Sequence, residues 1–594
     1  MDDLARTLWE VKYRQAGESS IEDSWNRVAT ALASCEAHDR DGWAARFQAI
    51  LADYRFLPGG RILAGAGTAR RVTLFNCFVM GVIEDSMDGI FQALKEGALT
   101  MQQGGGVGYD FSTLRPAGSQ TRSAAGIATG PLSFMHVWDS MCATVLSQGA
   151  RRGAMIATLR CDHPDIEAFI DAKREAGVLR HFNLSVQVSD DFLRAVEADS
   201  DWALVFPADQ LADGPGETIL RRWTGSLGPV PCRVLKRVPA RALWHRLMRA
   251  AYDTAEPGVL FIDRINTLNN LGWREQISAT NPCGEVPLPP YGACDLGSLN
   301  LTRFVRKPFT ERAHLDLDEL ARVTQVAVRM LDNVIDLSRY PLEAQREQAR
   351  GSRRIGLGIT GLGSALVMLG LRYDSEAGRQ HAAVAMQTVR DAAYRASSEL
   401  AREKGPFPFF GRAAYLARPF ILGLPEDVWD GIAAHGLRNS HLLAIAPAGS
   451  ISLLAGNVSS GLEPVYAEKA EREVRVGPGE TRRFAVTDDA LIRWREFGHE
   501  GLPPAFVTAP SIDPQDHLRM QAALQPFVDH SISKTINVTE DFPFEAFARL
   551  YEEANALGLK GCTVYRPNPL RGAVLTPVQT EDDLPQRCDV CVTA

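Results

Sequence analysis

A chain of 594 residues with 45% hydrophobic content has ample apolar surface for a large core, as several average domains or one large barrel. Its formal net charge of -8 argues against a protein that coats nucleic acid, which would carry a basic face, but leaves anionic small molecules open through local sites. The acidic start Met1-Asp-Asp-Leu-Ala-Arg-Thr7 has no apolar run, and no segment is apolar for long enough to span a bilayer, so a soluble cytoplasmic protein is expected.

Ile21, Val28 and Leu32 recur at helical intervals and predict a short helical N-terminal segment over residues 1–55. From 56 to 571, short apolar runs alternate with amphipathic stretches and glycine-rich turns. Leu74-Phe-Asn-Cys-Phe-Val-Met80, Leu204-Val-Phe206 and Leu442-Leu-Ala-Ile-Ala446 read as buried strands. Between them, Ile166-Glu-Ala-Phe-Ile170 follows Pro164 as a helix, and 326–337 places Val328, Leu331 and Ile335 on one helical face. Another helix is predicted over 381–404, stopping at Gly405. This alternation suggests an α/β fold with mainly parallel strands and active loops at the strand ends. Residues 572–594, with Pro577, Thr580, Glu581, Asp582, Asp583 and Pro585, offer little to bury and predict a mobile tail.

Ten unevenly spaced cysteines do not suggest a secreted disulfide scaffold. Cys35, Cys142, Cys161 and Cys232 have no chemical company and read as packing residues. Asn281-Pro-Cys-Gly-Glu285 differs, because it sets a thiol between an amide and a carboxylate. In an extended loop Cys283 and Glu285 would share a face, where the thiol could exchange a hydrogen atom and the carboxylate could take a hydroxyl proton. Asn281 could hold a hydroxyl or carbonyl. An ordinary turn is the equally open alternative, since Asn-Pro and Cys-Gly are turn-forming pairs. Cys77, in a predicted strand, and Cys294, after the proline-rich loop, could supply two electrons by forming a disulfide if strand and loop meet, although each alone reads more readily as core. The tail pair in Cys588-Asp-Val-Cys591 could bind zinc, exchange disulfides or do neither. With no second cysteine pair or nearby histidine pair to complete a zinc site, redox exchange is the better reading.

Gln102-Gln-Gly-Gly-Gly-Val-Gly108 lacks the ending of a P-loop and the spacing of a dinucleotide fingerprint, and reads as a close-approach loop beside a ligand. Pro447-Ala-Gly-Ser-Ile-Ser452 follows a predicted strand and could aim free backbone N–H groups at a diphosphate, although such a sequence is more often an ordinary strand-to-helix turn.

In order along the chain, Leu74-Phe-Asn-Cys-Phe-Val79, Gly104-Gly-Gly-Val-Gly108, Gly149-Ala-Arg-Arg-Gly153, His163-Pro-Asp-Ile-Glu167 and Asn281-Pro-Cys-Gly-Glu285 resemble the large catalytic chain of ribonucleotide reductases. Arg353-Arg-Ile-Gly-Leu-Gly358, Leu437-Arg-Asn-Ser440, Pro447-Ala-Gly-Ser-Ile-Ser452 and Thr563-Val-Tyr-Arg566 continue the resemblance over nearly the whole chain. It is strongest to the adenosylcobalamin-dependent class II enzymes. The resemblance implies a ten-stranded α/β barrel of two five-stranded parallel halves over 56–571, with the Cys283 loop inside and a redox tail over 572–594. It implies that Cys283 becomes a transient thiyl radical and removes the ribose 3′-hydrogen, that Glu285 deprotonates the 3′-hydroxyl and that Asn281 binds the sugar. Cys77 and Cys294 would end as a disulfide, reduced by Cys588 and Cys591 and then by a thioredoxin-like partner. Pro447, Ala448, Gly449, Ser450 and Ile451 would cradle the substrate phosphates, with Asn76 and Gly106 lining the nucleotide. Ala448 stands where threonine is commoner, so any hydroxyl contact there is lost while backbone contacts need not be.

The resemblance also implies a deoxynucleotide effector site with Asp85, Ser86, Met87 and the phosphate partner Arg115, joined to the substrate by residues 151–154, and a homodimer. The nucleotide-binding cone of some members has no counterpart, so no overall on/off control by ATP and dATP is expected. With no glycyl-radical motif, and Tyr565 alone where a two-subunit enzyme offers adjacent tyrosines, adenosylcobalamin is the expected radical source. Its cobalt would be held by the corrin, without a protein metal site. The alternatives are the large subunit of a class I two-subunit reductase and a catalytically silent nucleotide-binding regulator.

Overall fold

The computed structural model describes residues 1–567, except 121–126, 146–152, 176, 213, 227, 478 and 479, together with the backbone of 576–577. Part of the segment expected to join effector and substrate sites, Arg151 and Arg152, and the tail cysteines Cys588 and Cys591 lie outside the described residues.

The N-terminus is helical as expected. Helices Asp3–Leu8, Ile21–Ala33 and Arg40–Leu51 are joined by a π-helical turn at Trp9–Tyr13 and a loop. Ser20 and Asp23 form a capping box that starts the second helix, and Ile21, Val28 and Leu32 are its buried stripe. Strand Phe56–Pro58 then pairs antiparallel with Ala293–Asn300, fastening the helical segment to the main sheet.

That sheet is mixed and rich in parallel pairs. Cys77–Val79, Gly106–Asp110, Met155–Arg160, Phe182–Val188 and Gly258–Phe261 are successive parallel neighbours. The intervening connections carry helices, including Met87–Gln102, Pro131–Thr144 and Ala240–Thr254. This is the arrangement expected when buried strands alternate with amphipathic helices. Ala293–Asn300, buried along its whole length, pairs antiparallel with Cys77–Val79 and parallel with Ile355–Thr360. At the other end Gly561–Cys562 pairs antiparallel with Gly258–Phe261. Helices Leu317–Leu337 and Glu376–Lys404 cover the predicted spans and extend N-terminally beyond them, the second ending at Gly405.

Three strand expectations change in detail. Of 74–80 only Cys77–Val79 is strand. Leu204–Phe206 lies in Asp201–Pro207, in a separate antiparallel three-stranded sheet. Residues 442–446 contribute only isolated parallel bridges, Leu357 to Leu443 and Ile445 to Ile532. Apolar runs report burial, not hydrogen-bond partners, and so cannot tell these cases apart. Among the described residues no helix is long and apolar enough to cross a membrane.

Candidate active site

Cys283 sits in a loop between two short antiparallel strands, Ala279–Thr280 and Pro287–Leu288. The loop closes on itself, with Asn281 N donating to Val286 O at 3.2 Å and Val286 N donating to Asn281 Oδ1 at 3.0 Å. Gly284 N donates to Asn281 O, and Gly284 has φ +82°, a conformation that a side chain would strain. Of the two open readings of this segment, the backbone takes the tight turn rather than the extended loop. Cys283 and Glu285 do not alternate onto one face: Cys283 is exposed, whereas Glu285 is 2% exposed.

Distant parts of the sheet hold this turn. Asn183 Nδ2 donates to Pro282 O at 2.9 Å, and Ser531 N donates to Glu285 O at 2.9 Å. The strand Gly106–Asp110 lies so close beneath that a Cβ on Gly108 would fall 1.8 Å from Thr280 O. At Gly108 the close approach is to the chain's own strand Ala279–Thr280. Asn183 and Ser531 were missed because neither stands in a local motif.

Cys77 and Cys294 face each other directly across antiparallel strands. Such partners have Cα atoms about 4.5–5.5 Å apart, within the range that a disulfide spans. Both are reduced and buried, packed among Val79, Val286, Leu288, Leu296, Ala444 and Ala446. Burial first, then the nearby Glu285 carboxylate for Cys77 and the Asp295 carboxylate for Cys294, push both thiols well above the usual range. They remain protonated at neutral pH. Asn281 Nδ2 donates to Cys77 Sγ at 3.2 Å, and Cys77 Sγ lies 3.8 Å from Glu285 Oε1. Burial lifts the Glu285 carboxyl to about 7, and its Oε2 is buried with no hydrogen-bond partner. It is poised to hold or release a proton at neutral pH.

Asn76 precedes Cys77 and accepts Gly106 N through its carbonyl at 2.9 Å, while its side-chain Oδ1 is buried and unpartnered. Gly106 stands against Pro282, with its Cβ position 3.2 Å from the ring. Asn76 and Gly106 therefore border the same loop. Pro447 is exposed, and Ala448 caps the short helix Gly449–Leu454, its carbonyl accepting from Ser452 N at 2.8 Å. Nothing lies within 4 Å of a Cβ on Gly449. Residues 442–446 link this segment to the thiol pair, since Ala444 and Ala446 pack in the same cluster.

Asp85, Ser86, Met87 and Arg115 form a second group on other elements. Ser86 caps helix Met87–Gln102 by accepting Gly89 N at 3.0 Å, and Met87 is exposed. Arg115 Nε donates to Asp85 Oδ2 at 2.5 Å and its Nη2 to Asp85 O at 3.1 Å. A phosphate would share this guanidinium with Asp85.

Residues 75–565 match the family described as ribonucleotide reductase, barrel domain, and residues 2–71 match the ribonucleotide reductase all-alpha domain. The chain is 39% identical over 574 residues to a vitamin B12-dependent ribonucleoside-diphosphate reductase of Mycobacterium tuberculosis, covering 93% of this chain and 76% of that protein. It is 36% identical over 565 residues to a protein of the same description from Thermoplasma acidophilum, covering 92% of this chain and 68% of the relative. With matches spanning both the helical N-terminus and the sheet that carries the thiols, the chain belongs to the ribonucleotide reductase family.

Proposed function

We propose that the chain is a class II ribonucleotide reductase that converts ribonucleoside diphosphates to 2′-deoxyribonucleotides with adenosylcobalamin as radical source. The observation that carries this reading is the grouping at one loop: an exposed Cys283, with buried Asn281 and Glu285 of the same turn both in contact with Cys77, which faces Cys294 across paired strands. The names of the relatives in Mycobacterium tuberculosis and Thermoplasma acidophilum support the cofactor and the diphosphate.

The residues fit such a cofactor. Cys283 is exposed, and no atom lies within 4 Å of a Cβ position on Gly284, so Cys283 and Gly284 offer bulky radical chemistry an approach to the thiol. When bound, adenosylcobalamin supplies the one-electron chemistry that turns the Cys283 thiol into a thiyl radical. Cys283 then takes the ribose 3′-hydrogen atom, and Glu285 receives the 3′-hydroxyl proton. Cys77, held as a neutral thiol beside Glu285, protonates the departing 2′-hydroxyl, which leaves as water. Cys294 gives its hydrogen atom to C2′, and its sulfur joins the Cys77 thiolate as a disulfide with one surplus electron. That electron, with the proton held by Glu285, restores the 3′-hydroxyl on a C3′ radical. Cys283 returns the hydrogen atom to C3′, so the thiol pair supplies two electrons in all. Asn281 orients both the sugar and Cys77.

We infer a helical segment over 1–55, a catalytic barrel over 56–571 and a redox tail over 572–594, in which Cys588 and Cys591 pass electrons from a thioredoxin-like protein. The parallel bridges from Leu357 to Leu443 and from Ile445 to Ile532, with Ile536–Asn537 parallel to Val564–Tyr565, support a second parallel half and hence the ten-stranded barrel. Asp85, Ser86, Met87 and Arg115 are proposed to bind the deoxynucleotide effector of a cytoplasmic homodimer. Pro447 to Ile451 are proposed to hold the substrate phosphates.

The test is CDP reduction by the purified chain with adenosylcobalamin and a dithiol, repeated with CTP. Turnover of CDP in the single chain is expected. Activity that appears only on adding a second protein subunit would refute the class II assignment.

A further inference from the structure

A nucleoside diphosphate brings several negative charges, yet none of Asn76, Gly106, Pro447, Ala448, Gly449, Ser450 and Ile451 is charged. Backbone N–H groups and a serine hydroxyl leave that charge unneutralised. A cation comes from the far end of the sequence. Lys12 Nζ donates to Ser450 Oγ at 3.3 Å, across 438 positions of chain.

The placement of Lys12 is built, not incidental. Leu4 and Leu8 pack with Leu453, which lies in the helix that follows Gly449, so the N-terminal helix rests on the cradle. The next turn is π-helical, from Trp9 to Tyr13, with Arg14 N donating to Trp9 O at 2.8 Å. Such turns are uncommon, and they rotate the side chains that follow relative to a continuing α-helix. Trp9 and Tyr13 on either side are buried, and Trp9 Nε1 donates to Ser24 Oγ at 2.9 Å. The backbone around Lys12 is therefore fixed while its ammonium reaches the exposed rim beside Ser450.

We infer that Lys12 is a substrate-binding residue, supplied by the N-terminal helical segment, whose ammonium neutralises the terminal phosphate of the diphosphate held at Ser450. This rests on the proposed reading of the 447–451 segment as the phosphate cradle. A pre-positioned ammonium loses little freedom on meeting the phosphate, and its attraction for the substrate is screened by salt. It also makes the helical segment part of the active site rather than a lead-in to it.

The experiment is calorimetric binding of CDP and of cytidine to the full chain and to Lys12→Met and Lys12→Arg, at low and at high salt. Losing a hydrogen bond to a charged phosphate predicts about tenfold or more weaker CDP binding in Lys12→Met. Lys12→Arg should restore most of it, cytidine affinity should not change, and the salt dependence of CDP binding should diminish in Lys12→Met. In turnover the effect should appear mainly in KM. Equal CDP affinity in Lys12→Met and wild type would overturn the inference, as would an equal loss for cytidine. If Lys12→Met does not fold, wild-type CDP binding that is insensitive to salt overturns it on its own. Because binding needs no turnover, a wild-type chain that binds CDP through Lys12 but never reduces it would refute the proposed reaction and leave this inference standing.

Discussion

Two buried glutamates show how differently the chain treats the same side chain. Glu36, 1% exposed between the helices Ile21–Ala33 and Arg40–Leu51, accepts Arg329 Nε at 2.8 Å, Arg329 Nη2 at 2.7 Å, Asn333 Nδ2 at 2.7 Å and Lys404 Nζ at 3.0 Å. Burial raises its carboxyl, but these donors outweigh burial and hold it down at about 2. Glu285 is as buried, meets only the Asn281 and Cys77 neighbourhood, keeps one oxygen unpartnered and rises to about 7. A carboxylate that is fully partnered serves as a clasp. One left short of partners retains a proton equilibrium that chemistry can use.

The contrast can be broken at several points, beginning with the largest expected effect. Cys283→Ala should abolish CDP reduction while the melting temperature stays near wild type, because the thiol is exposed; normal turnover would remove the loop from the mechanism. Glu285→Gln should lower kcat by about 100- to 10,000-fold, the range for losing a general base. In the wild type, kcat/KM should fall below a pH of about 7 as the carboxyl protonates, and a flat profile from pH 6 to 8 would contradict its role.

At the clasp the readout is stability. Glu36→Gln leaves Arg329 and Lys404 facing a neutral amide and should cost about 3 kcal/mol in chemical denaturation. Since the folded carboxyl lies below its unfolded value, the Glu36 contribution is present above pH about 4.5 and is lost as pH falls toward 2. The gap between wild type and Glu36→Gln should close over that window, and a constant gap would exclude the ionic account. The smallest change is Asn183→Ala, which removes one bond to Pro282 O and should cost about 1 kcal/mol. It should lower kcat several-fold if the turn is held from the sheet, and an unchanged kcat would place the rigidity of the turn in the turn itself.

The helices were legible because a buried stripe such as Ile21, Val28 and Leu32 repeats at short range. The proposed chemical core stood out for a different reason: a thiol, an amide and a carboxylate fall within five residues, although the turn-forming pairs among them left an ordinary turn equally open. The geometry around them was not legible. The turn-forming pairs leave a turn open but do not choose it over the extended loop, so that Gly284 takes a positive φ and Cys283 is exposed while Glu285 is buried shows only in the fold. Nor does either segment say that Cys77 and Cys294 are in register, which strand pairing across more than two hundred residues decides. Lys12 lay in a predicted helical lead-in, and its contact with Ser450 is visible only once both ends of the chain have folded.

If Cys77 and Cys294 supply the electrons as proposed, their register bears on how fast the site is recharged. The two sulfurs stand on neighbouring strands whose backbones are already fixed by the sheet, with Val79 N donating to Gly292 O at 3.0 Å beside them. Forming or opening their bond asks for side-chain rotation and for no rearrangement of the scaffold. Slow motion is then confined to delivery, and a small diffusible dithiol and a large protein reductant should differ in access rather than in the ease of the exchange itself.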